Sequence, residues 1–322
     1  MKKTIVILSI VVLTLTLSAC TKDKEESTSS VLQKKEIEEQ TTKITYLNNH
    51  YSVPVKPEKI LFLNAFESIE DAVILGIEPY AASAIGSDEE PFPSFFGDVT
   101  ANTIPLLTTS GDSLEYVLQL APDLIISTDM EDPKVLEQLE KIAPVIPTSH
   151  YGPDWQENLE MLAEITGKAE KAKTLIDKYH QDKQNAIHYL DSFQDKDIVA
   201  IRIRGGEMMI YPKDVFLNDV LYGELNLPVP EAINKVNQQT VITLEGLYQA
   251  NPDYIFIQYD LYENDMDGSI LEELQQSPVW KGLKAVESNQ VFINAIDPLV
   301  MGGGTLNGRI RILEATMEAL SN

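Results

Sequence analysis

Arginine is the scarcest cation in this chain, and its four copies come in two pairs: Arg202 and Arg204 in "VAIRIRGG", Arg309 and Arg311 in "NGRIRILEATMEAL". A guanidinium is always charged and presents a rigid fork of donors, suited to carboxylate and other anionic oxygens. One charge-assisted contact of that kind contributes about 1.5–3 kcal/mol. Read as a strand, "AIRIR" sends Ile201 and Ile203 to one face and Arg202 and Arg204 to the other. Two roles stand open for this pair: gripping an anionic ligand, or pairing with the protein's own carboxylates. Ligand contact by at least one of them is the expectation. Arg309 and Arg311 sit among Ile310, Leu313, Met317 and Leu320, which keep helical spacing. If both are helical they point about 200° apart and only one can face a ligand; if "GGGTLNG" runs on as loop, both can.

Other chemistries find little support. The chain has no G-x-S-x-G elbow, no P-loop and no G-x-G-x-x-G, so no catalytic residue is assigned and no enzyme is expected. The four histidines, at 50, 150, 180 and 188, do not cluster in the sequence, so no bare-metal site and no cofactor is expected. Acidic residues exceed basic ones by 25, which disfavours nucleic acid as a partner.

The elements that must position the arginines alternate short apolar runs with helical stretches. "KILFLNA", "YAASAIG", "IPLLTT" and "VIPTS" read as strands; "SIEDAVILG", closed by Gly76, and "PKVLEQLEKIAP" read as helices. Such alternation implies α/β units on a mostly parallel sheet. The pattern also repeats. "SLEYVLQLAPDLII" (113–126) aligns without a gap on "TLEGLYQANPDYIF" (243–256), each giving a Ser/Thr cap, Leu-Glu, an amphipathic turn, Pro-Asp and an apolar strand. Two matching lobes follow. Between them, "GKAEKAKTLIDKYHQDKQNAIHYLDS" keeps helical spacing over about 25 residues, a rod of roughly 37 Å with no Gly or Pro after Gly167. The expected plan is an export signal at 1–19, a flexible polar tether at 20–43, an α/β lobe at 44–154, a connecting helical segment at 155–192 and a second α/β lobe at 193–322, with a cleft between the lobes.

"MKKTIVILSIVVLTLTLSAC" carries two lysines, an apolar run too short for a bilayer span, then small residues before the single cysteine, Cys20. "LSAC" resembles the bacterial lipobox, in which the cysteine is lipid-modified and becomes the first residue of the mature chain. With one cysteine no intrachain disulfide can form.

The chain as a whole resembles the ABC-transporter substrate-binding lipoproteins of the ferric-siderophore and vitamin B12 class. The resemblance runs from Ile44 to the end through "VPVKPEKILFLNAFESIEDAVILGIEP", "APDLIIS", "QLEKIAPVIP", "LAEITGKAEKAKTLIDKY", "DVLYGELNLPVPE", "NPDYIFIQ" and "SPVWKGLKAVESNQVFI". It implies two Rossmann-like lobes, each a mostly parallel sheet with flanking helices, joined by one long rigid helix. It also implies a lipid-anchored monomer on the extracytoplasmic side of the cell membrane, delivering its ligand to an ABC permease dimer. Glu115 and Glu245, the residues the internal repeat pairs, match the family's permease-docking glutamates; their alternative role is to complement helix N-termini.

The resemblance places an arginine-bearing strand over the cleft at Arg202 and Arg204, and related receptors for carboxylate siderophores carry arginines near 309 and 311. Further ligand contacts are expected from Asn64, Phe66, Thr108, Thr109, His150 and Tyr151 in the first lobe, and from Tyr211, Gln258, Tyr259 and Met301 in the second. Tyr151 and Trp155 have packing at the base of the connector as an alternative. No Lys or Arg occurs from Ile60 to Pro133. A less charged ligand is therefore expected, a ferric hydroxamate or mixed hydroxamate–citrate complex, with a carboxylate or catecholate siderophore as alternative. Haem, ligated by His150, Tyr259 or Met301, is the other alternative; vitamin B12 is disfavoured by the arginine strand.

Overall fold

The structure is a computed structural model that describes residues 40–107 and 114–321. The export signal, Cys20 and most of the tether lie outside the described residues, as do Thr108, Thr109 and Ser113. From Lys43 onward the described residues form one compact unit. No helix among them is long and apolar enough to cross a membrane.

Regular structure begins a little before Ile44, with a hairpin of β1 (Thr41–Tyr46) and β2 (Asn49–Pro54) that the apolar pattern did not announce. The first lobe is a five-stranded sheet of β3 (Ile60–Phe62), β4 (Ala81–Ser83), β5 (Ile104–Leu106), β6 (Leu124–Thr128) and β7 (Val145–Thr148). Its order is β5-β4-β3-β6-β7 and every pairing is parallel. Both faces are covered, as a parallel sheet requires. Ile60, Phe62, Leu124 and Ile126 face the main core, while Leu61, Leu63 and Ile125 face a smaller cluster with Val117 and Leu139. The strands are shorter than the apolar runs imply. "KILFLNA" gives three strand residues because Asn64, at φ 54°, turns the chain.

Helices α1 (Phe66–Leu75), α2 (Leu114–Leu120), α3 (Pro133–Leu139) and α4 (Trp155–Ile165) complete this lobe. The connector α5 (Ala169–Leu190) has 22 residues, about 33 Å. Gly167, at φ 68°, separates it from α4, and beyond it the connector runs as one uninterrupted helix, as expected.

The second lobe is built on β8 (Ile198–Arg204), β9 (Glu207–Ile210), β10 (Thr240–Val241), β11 (Tyr254–Tyr259) and β12 (Val291–Ile293), ordered β10-β9-β8-β11-β12. β8, β11 and β12 are parallel, and β9 turns back antiparallel on β8. Around it lie α6 (Glu231–Asn234), α7 (Leu244–Ala250), α8 (Ser269–Gln276), α9 (Pro278–Lys281), α10 (Lys284–Glu287) and a wide π-type turn at Asp219–Glu224. The last helix, α11 (Leu306–Leu320), packs against α1, α4 and α5 as well as that turn, so the main core is continuous from Ile44 to Leu320.

Where α1 meets the segment before α11, two carboxyls are fully buried. Glu70 accepts hydrogen bonds from Met301 N–H (2.9 Å) and Thr305 Oγ (2.5 Å). Asp71 has no hydrogen-bond partner for either side-chain oxygen. Burial pushes Glu70 from 4.5 up to about 7, and burial with the neighbouring Glu70 and Glu67 pushes Asp71 well above the carboxylate range. The folded protein therefore holds these protons more tightly than the unfolded chain. For Glu70 that stabilisation is complete below about pH 4.5 and is lost as pH rises through about 7. For Glu70 the difference is ~3 kcal/mol. Urea unfolding across this range should show that decline, and Glu70→Gln should flatten it by a similar amount. An unchanged pH slope in the variant would contradict the assignment.

Candidate functional site

The alternation along β8 holds: Ile201 and Ile203 are buried in the core, and Arg202 and Arg204 share the opposite face. Parallel pairing sets Arg202 beside Gln258 and Ile203 beside Tyr259 on β11. The loop leaving β11 then folds back over the β8–β9 turn. Gly205 N–H donates to Glu263 O (3.0 Å), Gly206 N–H to Asn264 Oδ1 (3.1 Å), and Asn264 Nδ2 to Ile203 O (3.0 Å). Glu263 is thereby delivered between the two arginines.

Arg202 donates through Nε and Nη2 to Glu263 Oε2 (2.9 and 2.8 Å) and through Nη1 to Pro298 O (2.9 Å). Arg204 donates through Nη2 to Glu263 Oε1 (2.6 Å). Burial alone would raise the Glu263 carboxyl; the hydrogen bonds from both guanidinium groups outweigh it and hold the group below its ordinary value.

These residues line a cavity of about 290 Å³ together with Phe66, Glu67, Ile85 and Met301. A second cavity of about 300 Å³ adjoins it through Glu67, Tyr211, Phe216 and Met301, and reaches His150 and Tyr151. Most of this lining lies just beyond the carboxyl ends of parallel strands, where open α/β sheets bind ligands. Phe216 joins the two cavities. Its backbone is at φ 61°, an uncommon conformation for a bulky residue, and its ring stacks on Tyr211 (5.2 Å between centroids) with the Arg202 guanidinium 5.7 Å away. Gly302 is required beside it, since a Cβ there would stand 2.7 Å from the ring.

The structure thus brings together Arg202, Arg204, Tyr211, Phe66 and Met301, with His150 and Tyr151 in the adjoining chamber. His150 is occupied by Asp129 (2.6 Å). Other expected residues lie elsewhere. Arg309 is helical and turned inward. Its side chain is 2% exposed and paired with Asp219 (2.6 Å) and Glu224 (2.9 Å); it also donates to Gly152 O (3.2 Å) and lies over Trp155 (5.2 Å). It locks α11 to α4 and to the Asp219–Glu224 turn. Arg311, on the other side of the helix, stacks on Phe95 (4.3 Å) outside both chambers. Tyr259 is buried, donates to Asp265 (2.5 Å) and lines neither chamber. Asn64 donates to Glu131 (3.2 Å) and lines neither chamber. Trp155 packs on Tyr179, and Gln258 is buried beneath Arg202. Thr108 falls outside the described residues.

Sequence reasoning missed Glu263, Glu67 and Phe216. Glu67 had a faint signal, an acid at the start of a helix directly after a cleft-facing strand end. Glu263 had none, since only the parallel pairing of β8 with β11 brings position 263 to positions 202 and 204.

Glu115 and Glu245 are exposed in the first turns of α2 and α7, and Thr243 caps α7 through Gly246 N–H (3.0 Å). One turn further along, the repeat pairs two exposed apolar side chains, Leu118 (62%) and Tyr248 (48%).

Comparison with known proteins agrees with this architecture. The periplasmic binding protein family matches residues 70–295. The iron-uptake system-binding protein of Bacillus subtilis is 37% identical over 100% of this chain and 99% of its own. A crystal structure of the triscatecholate siderophore binding protein FeuA from Bacillus subtilis, complexed with ferri-bacillibactin, superposes with a TM-score of 0.77 at 36% identity, covering 87% of this chain and 98% of that one. The iron(3+)-hydroxamate-binding protein FhuD of the same organism is 27% identical over 88% of this chain and 86% of its own.

Removing one partner from a buried ion pair typically costs about 3–5 kcal/mol, whereas a half-exposed pair contributes under about 1 kcal/mol. Arg309→Met should therefore lower unfolding free energy by several kcal/mol in urea titration, and Arg204→Met by less than about 1 kcal/mol. Equal stability losses would contradict the division of roles.

Proposed function

The chain belongs to the periplasmic binding protein family, and we propose that it is the siderophore-capturing component of an ABC importer for iron. The observation that carries this reading is the Arg202–Glu263–Arg204 cluster, which lines with Phe66, Tyr211 and Phe216 a cleft of two adjoining chambers of about 290 and 300 Å³. The siderophore supplies the iron's ligand atoms, so the receptor recognises only the outer rim of the complex. Guanidinium groups suit the oxygens of that rim, and Phe66, Tyr211 and Phe216 suit flat ring faces.

The ligand class is taken as a ferric catecholate. Similarity is greater to the triscatecholate-binding relative than to the hydroxamate-binding one. Catecholate rings are aromatic and anionic, which the stacked Tyr211–Phe216 pair and Arg204 meet together. This replaces the expectation of a hydroxamate or hydroxamate–citrate ligand, which rested on the absence of basic residues from the first lobe. Arg204 supplies a cation from the second lobe instead.

Delivery follows from the paired docking positions. Glu115 with Leu118 and Glu245 with Tyr248 offer each half of a two-fold permease the same acid-plus-apolar contact at corresponding places. A lipid on Cys20 would hold the body at the extracytoplasmic membrane face.

Fluorescence-quenching titration against ferric tris-catecholate, hydroxamate and citrate complexes should give the tightest binding with the tris-catecholate. Arg204→Met should weaken that binding by about 10- to 100-fold. Tightest binding to a hydroxamate would overturn the ligand class, and no chelate binding at all would overturn the function. Glu115→Arg combined with Glu245→Arg should leave affinity unchanged while abolishing iron uptake by cells; lost affinity would refute the docking assignment.

A further inference from the structure

We propose that Glu263 is a built-in counter-anion of the cleft, anchoring Arg202 and guarding Arg204 so that small anions cannot occupy the site while a polyanionic chelate can. This deepens the ferric-chelate reading above and rests on it. The two arginines share the carboxylate unequally. Arg202 is enclosed, its side chain 9% exposed, with Nε and Nη2 on Glu263 and Nη1 on Pro298 O and, at 3.5 Å, on Gln258. It has little left to give a ligand. Arg204 is 48% exposed and makes one contact, through Nη2, so its Nε and Nη1 remain for a ligand. Arg202 is therefore the positioning residue and Arg204 the ligand contact.

Glu263 cannot withdraw when a ligand enters. Its carbonyl accepts from Gly205 N–H (3.0 Å), its amide donates to Asp260 Oδ1 (3.3 Å), and the adjacent Asn264 is tied to Ile203 O, Asp260 O and Gly206 N–H. Only the side chain can rotate, so its negative charge stays at the site. The charged groups lining the main cavity are Arg202, Arg204, Glu263 and Glu67. With all four ionised they cancel. A lone sulfate or carboxylate reaching Arg204 Nε and Nη1 would sit against the fixed Glu263 carboxylate, whose repulsion offsets the attraction of the guanidinium. A chelate with many oxygens and ring faces compensates through contacts that a small anion lacks.

The experiment measures affinity for the ferric complex of a synthetic tris-catecholate, with sulfate exchanged for chloride at constant ionic strength. The unaltered protein should lose less than about twofold in affinity as sulfate replaces chloride. Glu263→Gln should bind the chelate about tenfold more tightly in chloride and lose about tenfold in sulfate, because sulfate now reaches the freed guanidinium groups. Glu263→Asp, which keeps the charge, should remain insensitive to sulfate. If the Gln variant does not fold by circular dichroism, the double variant Arg202→Met with Glu263→Gln, which removes the buried charge together with its partner, tests sulfate sensitivity at Arg204. A charge-removing variant that gains no affinity, or shows no sulfate sensitivity, overturns the proposal. Failure of the unaltered protein to bind any ferric chelate would instead overturn the functional reading on which it rests.

Discussion

One carboxylate divided between two guanidinium groups is the constraint on which the cleft depends. Arg202 is nearly dry, and a charge removed from water must be paired and hydrogen-bonded. The fold meets that demand through sheet register. β8 places Arg202 and Arg204 on one face, β11 runs parallel beside it, and the loop beyond β11 returns Glu263 to both. Paired glycines at 205 and 206, both at positive φ, let β9 turn back tightly enough for that loop to dock. Fixing Arg202 in this way also fixes Phe216 beneath it, and Phe216 with Tyr211 shapes the passage between the two chambers.

Behind the cleft, buried charges hold the architecture. Arg309 joins α11 to Asp219 and Glu224 in the second lobe, to Gly152 O and to Trp155 of α4. Tyr179 of the connector donates to the same Glu224. Glu70 ties α1 to Met301 and Thr305, so the helix that carries Phe66 and Glu67 is coupled to the segment that carries Met301. Of the four arginines, one locks helices, one stacks on Phe95, one is anchored by Glu263, and Arg204 lines the main chamber with donors still open. A scarce residue type here is mostly an architectural resource.

The fold was largely legible because its signals are local. Pro-Asp before an apolar run, Leu-Glu at a helix start, and an uninterrupted helical period from Ala169 to Leu190 each act over a few residues. The matched segments at 113–126 and 243–256 also put Glu115 and Glu245 at corresponding places. The site was less legible because its contacts are tertiary. Alternation put Arg202 and Arg204 on one face, but it could not say that Glu263 would claim both. Helical spacing allowed one of Arg309 and Arg311 to face a ligand; the buried acids of the Asp219–Glu224 turn drew Arg309 inward, and Phe95 took Arg311. Tyr259 follows strand alternation, yet its hydroxyl found Asp265 in the following loop. In "FESIEDAVIL" nothing local marks the acids at 70 and 71 as buried. They are buried because α11 covers them, a helix more than two hundred residues away in sequence.

The most direct measurement is a crystal structure of the protein with a ferric tris-catecholate bound. The account predicts the chelate seated between Phe66 and Phe216, with its oxygens within hydrogen-bond distance of Arg204 Nε and Nη1. Arg202 should still be held by Glu263, and Arg309 still buried against Asp219 and Glu224. A chelate bound outside this cleft, or one contacted by Arg309 after the lock has opened, would contradict it.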